Sequence, residues 1–249
     1  MRAILLSVGS RGDVEPYCVL TKELLQRGIQ VDLFVQRNLQ YLCTPFVGQS
    51  CFQLHTFPFD SDDFYKVTKT SLSLSRSNTL HLPDSRMIHV AKVAAIIGEL
   101  VLPCLSQVLQ SIDDPKRSSN CILVTSAFTR PLALLVTHER ENIPVILLHL
   151  QPLLPNRIVP SYRTSRSGFV HACIHTQASS SETALSGLDC EESYWKIEHS
   201  LEECFLKTQT QTTHDQVFSG KKSPPSWETL KEMLTGKAKH VWVVNAYSN

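Results

Sequence analysis

The sequence has no excess of charge of either sign and no long apolar run. Its 249 residues carry 24 Lys plus Arg and 23 Asp plus Glu, a formal charge of +1, which gives no global field that would attract nucleic acid. No apolar segment approaches the roughly 20 residues that span a bilayer, and the apolar start, which stops at Gly9, is too short for a secretion signal. We therefore expect a soluble, cytoplasmic protein, at most peripheral at membranes, that does not bind nucleic acid.

The sequence also lacks closely spaced metal or disulfide motifs. None of its eight cysteines forms a C-x-x-C pair, so neither a zinc ribbon nor a short disulfide framework is indicated, and reduced thiols are expected. His171 and His175 are four residues apart but have no third ligand nearby. Asp60, Asp62 and Asp63 lack the glycine and the terminal glutamate of a calcium loop and are interpreted as a solvated turn. No metal site is predicted.

Hydrophobic residues make up 42% of the chain and charged residues 19%, which is enough apolar material for a sizeable core. Short apolar runs alternate with helical patterns over the first 150 residues, which is typical of βαβ units around a buried parallel sheet. Strands are predicted at residues 3–8, 31–35, 52–57, 121–126, 144–149 and 240–245. The sequence therefore predicts an α/β, Rossmann-like parallel sheet with helices on both faces.

Four helices are predicted to connect or cover these strands. They comprise residues 16–27, which end at Gly28, residues 38–46, residues 130–140, and a long helix over 85–111 that bends at Pro103. The Ser-rich residues 61–84 are interpreted as a surface loop or mobile lid.

The chain is predicted to form one domain over residues 1–249. Residues 1–150 make a regular βαβ core, whereas residues 151–249 are less regular and include a helical pattern over 190–207, a helix at about 227–234 and the final strand. Because the sequence stops four residues after that strand, we expect a chain that continues in its complete form.

The segment Gly9-Ser-Arg-Gly-Asp-Val-Glu-Pro16 follows the first strand, where doubly wound folds place ligands. It is neither the dinucleotide motif G-x-G-x-x-G nor a Walker loop. Its two glycines allow a sharp turn and close approach to a ligand, and Asp13 is suited to be an N-cap or a first-turn acid. The Arg-Gly-Asp tripeptide within it is interpreted as a chance match to an adhesion motif.

This segment resembles the N-terminal signature of the sterol 3-beta-glucosyltransferases and related antibiotic-aglycone glycosyltransferases, of the family 28 type, which have the two-domain GT-B fold. Two further segments are similar to that family: Leu150-Gln-Pro-Leu-Leu-Pro-Asn-Arg-Ile-Val-Pro-Ser161 and Val243-Val-Asn-Ala-Tyr-Ser248. In the first of them, Asn156 and Val159 stand where the family has Thr and Phe. The resemblance covers most of the chain as an N-terminal, acceptor-binding domain, although residues 165–235 follow it poorly.

The resemblance implies an inverting transfer of a hexose from a UDP-sugar co-substrate to a sterol-like, lipophilic hydroxyl, with no other cofactor. It implies Asp13 as the general base, Gln151 and Pro152 as acceptor-binding residues, and a donor or phosphate loop formed by Gly9, Ser10, Arg11 and Gly12. From the residues alone, other roles stay open. Asp13 can simply cap a helix, Ser10 and Arg11 can be a turn serine and a solvated cation, and Gln151 can satisfy a proline-rich turn.

The family's second domain, with its glycine-rich loop and Asp-Gln pair that hold the nucleotide sugar, has no counterpart in this sequence. His214-Asp-Gln216 lacks the upstream loop and is interpreted as coincidence. Without that clamp on the leaving group, the chain alone is expected to transfer little or no sugar. The alternatives are a non-catalytic acceptor-binding or regulatory module and an unrelated Rossmann-like oxidoreductase. The oxidoreductase is disfavoured because Asp32 lies too early in its strand to bind a ribose.

Overall fold

A computed structural model of the chain describes residues 1–77, 95–117, 120–126, 128–140, 143–150, 226, 229, 232–233 and 237–245. The described residues form one six-stranded sheet in which all the strands are parallel. In chain order the strands are β1 Arg2–Ser7, β2 Gln30–Gln36, β3 Phe52–Phe57, β4 Cys121–Thr125, β5 Val145–His149 and β6 Val241–Asn245. Each lies within one residue of a predicted strand, and the predicted Rossmann-like α/β class is confirmed.

The strands lie in the order β3-β2-β1-β4-β5-β6, so β1 is internal and the direction of winding reverses between β1 and β4. Every residue of β1 is buried. Successive side chains alternate between the two faces of a strand, and accordingly Ala3 and Leu5 belong to one apolar cluster while Ile4 and Leu6 belong to the other. Burial on both faces explains why the strands are continuous apolar runs.

Helices cover the two faces. The helix α1 (Arg11–Gln26) and the 3-10 segment Arg37–Phe46 contribute to the cluster that contains Leu5. The other cluster contains residues from a π-helical turn, Ile97–Val101, and from a 3-10 turn, Leu102–Cys104. It also contains residues from the helices Leu105–Ile112 and Arg130–Glu139. Besides α1, the described α-helices are α2 Ser61–Ser77, α3 Leu105–Ile112 and α4 Arg130–Glu139. None of the helices within the described ranges has both the length and the apolar character to cross a bilayer.

The start of α1 differs from the sequence-based expectation. The helix begins at Arg11 rather than at residue 16, and Pro16 lies in its interior. Ser10 is the N-cap, and the backbone amide of Asp13 donates to the Ser10 carbonyl oxygen at 3.0 Å. The Ser10-x-x-Asp13 spacing is a capping-box pattern, so it was a local signal for the earlier start.

The expectation of a loop over 61–84 is wrong for residues 61–77, which form α2. The Asp60 carboxylate accepts the backbone amides of Asp62 and Asp63 at 3.0 and 3.2 Å, and the Asp63 carboxylate accepts the Asp60 amide at 3.0 Å. These bonds satisfy amide groups that a helix start otherwise leaves without partners. Asp60, Asp62 and Asp63 therefore form the hydrogen-bonded start of α2, and their interpretation as a solvated turn is wrong.

Two other predicted helices are only partly regular. Residues 38–46 lie in a 3-10 segment instead of an α-helix. The part of the predicted helix 85–111 that the structure describes changes from π to 3-10 geometry next to Pro103, which cannot donate a helical hydrogen bond. The change in helical geometry thus falls at the residue where the sequence predicts a bend.

A buried ionic cluster joins the amino-terminal part of the sheet. The carboxylate of Asp32, in β2, accepts hydrogen bonds from Arg2 Nε at 2.9 Å and from Ser111 Oγ at 2.9 Å. It also forms an ion pair with the guanidinium of Arg117. The Nε2 atom of His55 lies 3.8 Å from Asp32 Oδ2. Burial by itself raises the pKa of Asp32, but His55, Arg2, Ser111 and Arg117 together lower it to about 2. Asp32 is thus a structural anion of the fold.

Candidate functional site at the carboxyl ends of the central strands

The turn between β1 and α1 requires glycine at its first position. Gly9 has φ +143°, a conformation that residues with a side chain rarely adopt. A Cβ atom at Gly9 would also stand 2.5 Å from Asp13 Oδ2. Gly9 therefore lets the Asp13 carboxylate lie directly against the backbone of the turn.

The Asp13 carboxylate is held in one orientation by Ser10. Its Oδ2 atom accepts the Ser10 backbone amide at 2.7 Å and the Ser10 hydroxyl at 2.8 Å, while Ser7 Oγ donates to the Asp13 carbonyl oxygen at 3.0 Å. No described residue donates a hydrogen bond to the Oδ1 atom. The half-buried carboxylate thus caps α1 with one oxygen, while its other oxygen accepts no hydrogen bond from the described residues.

Gln36, at the carboxyl end of β2, supports this turn from behind. It is fully buried, and its Oε1 accepts the Gly9 amide at 2.8 Å. Its Nε2 donates to Asn38 Oδ1 at 2.9 Å and to Ser61 Oγ at 3.1 Å. One amide side chain thereby connects the β1–α1 turn, the residues after β2 and the start of α2.

Gln36 is a site residue that the sequence analysis missed. The signal available was a polar residue at the carboxyl end of an otherwise apolar strand, next to the predicted ligand edge.

The turn between β4 and α4 forms the other side of the site. Thr129 Oγ1 donates to the Leu6 carbonyl oxygen at 2.8 Å, and the Ser126 amide donates to that same oxygen at 3.1 Å. The hydroxyl groups of Thr125 and Ser126 lie 2.8 and 3.1 Å from Thr129 Oγ1. These buried hydroxyls join the end of β4 to the end of β1, at the position where doubly wound sheets open a crevice.

The remaining candidates of the β1–α1 loop lie at the surface. The Arg11 Nε donates to Glu15 Oε1 at 2.6 Å, and both side chains are largely exposed. The hydrogen bond from Arg11 to Glu15 and the charge of Glu15 raise the pKa of Arg11. The Ser10 hydroxyl is used by Asp13, and Gly12 is exposed. This loop thus offers one exposed cation, already paired with Glu15, and one carboxylate oxygen toward solvent.

The predicted acceptor residues Gln151 and Pro152 lie outside the described residues. The same holds for His171, His175 and the segment 214–216. The described structure brings together Gly9, Ser10, Asp13 and Gln36, with the β4–α4 hydroxyls beside them. Such an arrangement can accept a proton at a fixed carboxylate, whereas the hydroxyls of Thr125, Ser126 and Thr129 are buried and join β4 to the end of β1.

No protein-family model matches the sequence, and no curated protein matches it. Among solved structures, the chain is similar to the glycosyltransferase of kitacinnamycin, with 16% identity over 82% of this chain and 40% of that chain and a TM-score of 0.42. It is similar to the Streptomyces sp. SF2575 glycosyltransferase SsfS6, with 14% identity over 82% and 46% of the two chains and a TM-score of 0.44. It is also similar to the calicheamicin glycosyltransferase CalG4, with 13% identity over 85% of this chain and 45% of that chain and a TM-score of 0.41. The chain spans less than half the length of each.

Proposed function

We propose that the chain is the acceptor-side half of a GT-B glycosyltransferase that transfers a hexose from a UDP-sugar to a lipophilic, sterol-like hydroxyl. The observation that carries this proposal is the placement of Asp13. Its carboxylate lies against Gly9 at the carboxyl end of β1, beside the reversal of the sheet, with Oδ2 fixed by Ser10. The resemblance of residues 9–16 to the sterol glucosyltransferase signature supports the same assignment.

In the proposed reaction, the acceptor oxygen attacks the anomeric carbon of the sugar while the nucleoside diphosphate leaves with the electron pair of its bond. Asp13 Oδ1 accepts the proton of the acceptor hydroxyl, as a general base must do within hydrogen-bond reach. The two bonds from Ser10 to Oδ2 hold the carboxylate plane. This chain's own contribution is therefore a positioned proton acceptor.

The other proposed contacts follow the same scheme. Gly9, Ser10, Arg11 and Gly12 border the donor phosphates, and Gln151 and Pro152 contact the acceptor. A separate nucleotide-sugar-binding domain supplies the remaining donor contacts, so the chain by itself is proposed to be inactive. We further propose a cytoplasmic location with peripheral contact to membranes, from which a lipophilic acceptor would be taken.

The proposal is tested by Asp13→Asn and Asp13→Ala in the chain joined to a nucleotide-sugar-binding domain. Asn retains an oxygen for the Ser10 donors and is about as good at a helix start as Asp, so the free energy of unfolding should change by less than roughly 1 kcal/mol. It cannot take the proton, so turnover should fall by about 10²–10⁴-fold. Asp13→Ala should lose both turnover and stability.

Urea unfolding and initial rates of product formation separate the two roles. Near-normal turnover of Asp13→Asn would leave Asp13 as a helix-capping residue. The general base would then be unassigned. The second candidate function, a non-catalytic acceptor-binding module, would be favoured if the unmodified chain joined to the donor domain bound the acceptor but formed no product.

A further inference from the structure

Two cysteines lie where α1 packs against the 3-10 segment Arg37–Phe46. Cys18 lies on α1, and Cys43 lies on the 3-10 segment. Cys18 Sγ lies 3.7 Å from the carbonyl oxygen of Leu42, the residue before Cys43, and Cys18 packs against the apolar cluster that contains Cys43. Both cysteines are reduced in this structure. Two cysteines 25 positions apart in the sequence are therefore neighbours in the fold.

One of the two thiols is accessible from outside. Cys18 is half-buried, whereas Cys43 is completely buried. A groove of about 620 Å³ opens onto Cys18 and is also lined by Val19, Lys22, Leu42, Pro45 and Phe46. A small solute can therefore reach Cys18 while Cys43 stays behind it.

The two thiols are also chemically unlike. The hydrogen bond with Cys43 lowers the pKa of Cys18, against the opposing effects of burial and of the Glu15 charge. The same hydrogen bond, together with burial, raises the pKa of Cys43. Because the thiolate is the nucleophile, Cys18 is the thiol that reacts first. An accessible thiol of lowered pKa beside a second cysteine is the arrangement of peroxide-sensitive pairs.

We propose that Cys18 and Cys43 are a modification site at which a hydroperoxide drives formation of a disulfide between α1 and the 3-10 segment. The Cys18 thiolate attacks an oxygen of the hydroperoxide, the O–O bond breaks, and Cys18 becomes a sulfenic acid while water or an alcohol leaves. The Cys43 sulfur then attacks Cys18 Sγ, the S–S bond forms, and water is released. Two thiols lose two electrons and the hydroperoxide gains them. A dithiol reductant reverses the modification, and the proposal does not depend on the glycosyltransferase assignment.

Other cysteines of the chain serve as internal comparisons. Cys51 is half-buried, and its sulfur accepts a hydrogen bond from the Ser50 hydroxyl at 3.9 Å. Cys104 and Cys121 are buried, and burial raises the pKa of both thiols. None of these three has a cysteine partner among the described residues, so none should respond as Cys18 does.

The test treats the 249-residue chain with equimolar hydrogen peroxide at neutral pH, blocks the remaining thiols by alkylation and maps the peptides by mass spectrometry. The expected result is a peptide pair joined through Cys18 and Cys43, lighter by two hydrogen atoms than the reduced peptides and absent after treatment with a dithiol reductant. The control Cys51→Ser should retain this pair. In Cys43→Ser the pair should disappear, and a sulfenic-acid reagent should label Cys18.

The unmodified chain provides a further measurement that does not depend on the folding of any variant. A limiting amount of an alkylating agent should modify Cys18 several-fold faster than Cys51. Equal rates at the two positions, or peroxide-induced pairing of Cys18 with any cysteine other than Cys43, would overturn the proposal. So would failure of the Cys18–Cys43 pair to form in the unmodified chain.

Discussion

Gly9 and Asp13 depend on each other in the β1–α1 turn. The glycine is required both by its positive φ and by the Asp13 carboxylate, which occupies the space where a Cβ atom would lie. The same carboxylate fixes the first turn of α1 through Ser10. A residue that resembles a family's catalytic base is therefore also the residue that shapes the loop carrying it, and variants must separate the two effects.

Gly9→Ala should destabilise the chain more than Gly28→Ala does. Both glycines have positive φ, but a Cβ at Gly28 meets nothing within 4 Å, whereas one at Gly9 meets Asp13. The conformational effect alone costs about 1 kcal/mol or somewhat more, and the clash at Gly9 should add to it. Urea unfolding of both variants measures the difference.

A double substitution tests whether the Asp13 carboxylate causes the clash in Gly9→Ala. Asp13→Ala removes the carboxylate, so Gly9→Ala should cost less in the Asp13→Ala background than in the unmodified chain. Additive losses from the two substitutions would show that the carboxylate does not lie against Gly9.

At the scale of elements, the Asp32 cluster connects parts of the chain that are far apart in sequence. Arg2 belongs to β1, Asp32 to β2 and Ser111 to α3, and all three side chains are buried. Arg2 also donates to Ser111 Oγ at 2.7 Å. The cluster thus ties a helix on one face to the amino-terminal ends of two neighbouring strands.

This cluster should make stability fall in acid. The pKa of Asp32 is lowered from 3.8 to about 2 in the folded chain, so the ionised carboxylate stabilises the fold above pH 4. The stabilisation, about 2 kcal/mol, should be lost as the pH falls from about 4 to about 2. Urea unfolding midpoints measured between pH 7 and pH 2.5 report it.

Asp32→Asn should lower stability at neutral pH by about 3–5 kcal/mol, because it leaves the buried Arg2 guanidinium without a counter-charge. It should also reduce the fall in stability below pH 4. The exposed pair Asp113–Arg140 is the matched control, and Asp113→Asn should cost less than about 1 kcal/mol. Equal losses for the two variants would contradict a structural role for the buried anion.

At the scale of the whole molecule, the sheet order brings the β1–α1 and β4–α4 turns to one edge. Ser126 and Thr129 bind the carbonyl oxygen of Leu6 although they lie more than a hundred residues away in sequence. The described part of that edge contains the Asp13 carboxylate and has Arg11 engaged with Glu15. It thus provides more for an uncharged hydroxyl than for a diphosphate.

We therefore expect the 249-residue chain to bind a sterol weakly and UDP-glucose hardly at all. In the proposed function this chain supplies the acceptor half of the site, whereas the cationic and backbone contacts that hold a diphosphate are expected from another domain. Isothermal titration with each ligand tests this, with UDP alone as the control for nucleotide binding. Tight binding of UDP-glucose would contradict the assignment of this chain to the acceptor side.

The sequence by itself determined the features that depend on consecutive residues. Apolar runs and their spacing predicted the six strands, the parallel α/β class and most of α1. This was possible because the period of apolar residues, and hence which side chains are buried, can be recognised from residues close together in the sequence. The starts of α1 and α2 were also encoded locally, in Ser10-x-x-Asp13 and Asp60-x-x-Asp63. The expected loop over 61–77 was wrong because its serine content outweighed that capping signal.

Only the tertiary structure decided which distant polar groups meet. Asp32 and Arg2, Gln36 and Gly9, and Cys18 and Cys43 are separated by 25 to 30 residues and are brought together by strand order and helix packing. No local period specifies such contacts, since they follow from which strands are neighbours and which helix covers them. The ion cluster, the support of the β1–α1 turn and the thiol pair therefore became visible only in the folded chain.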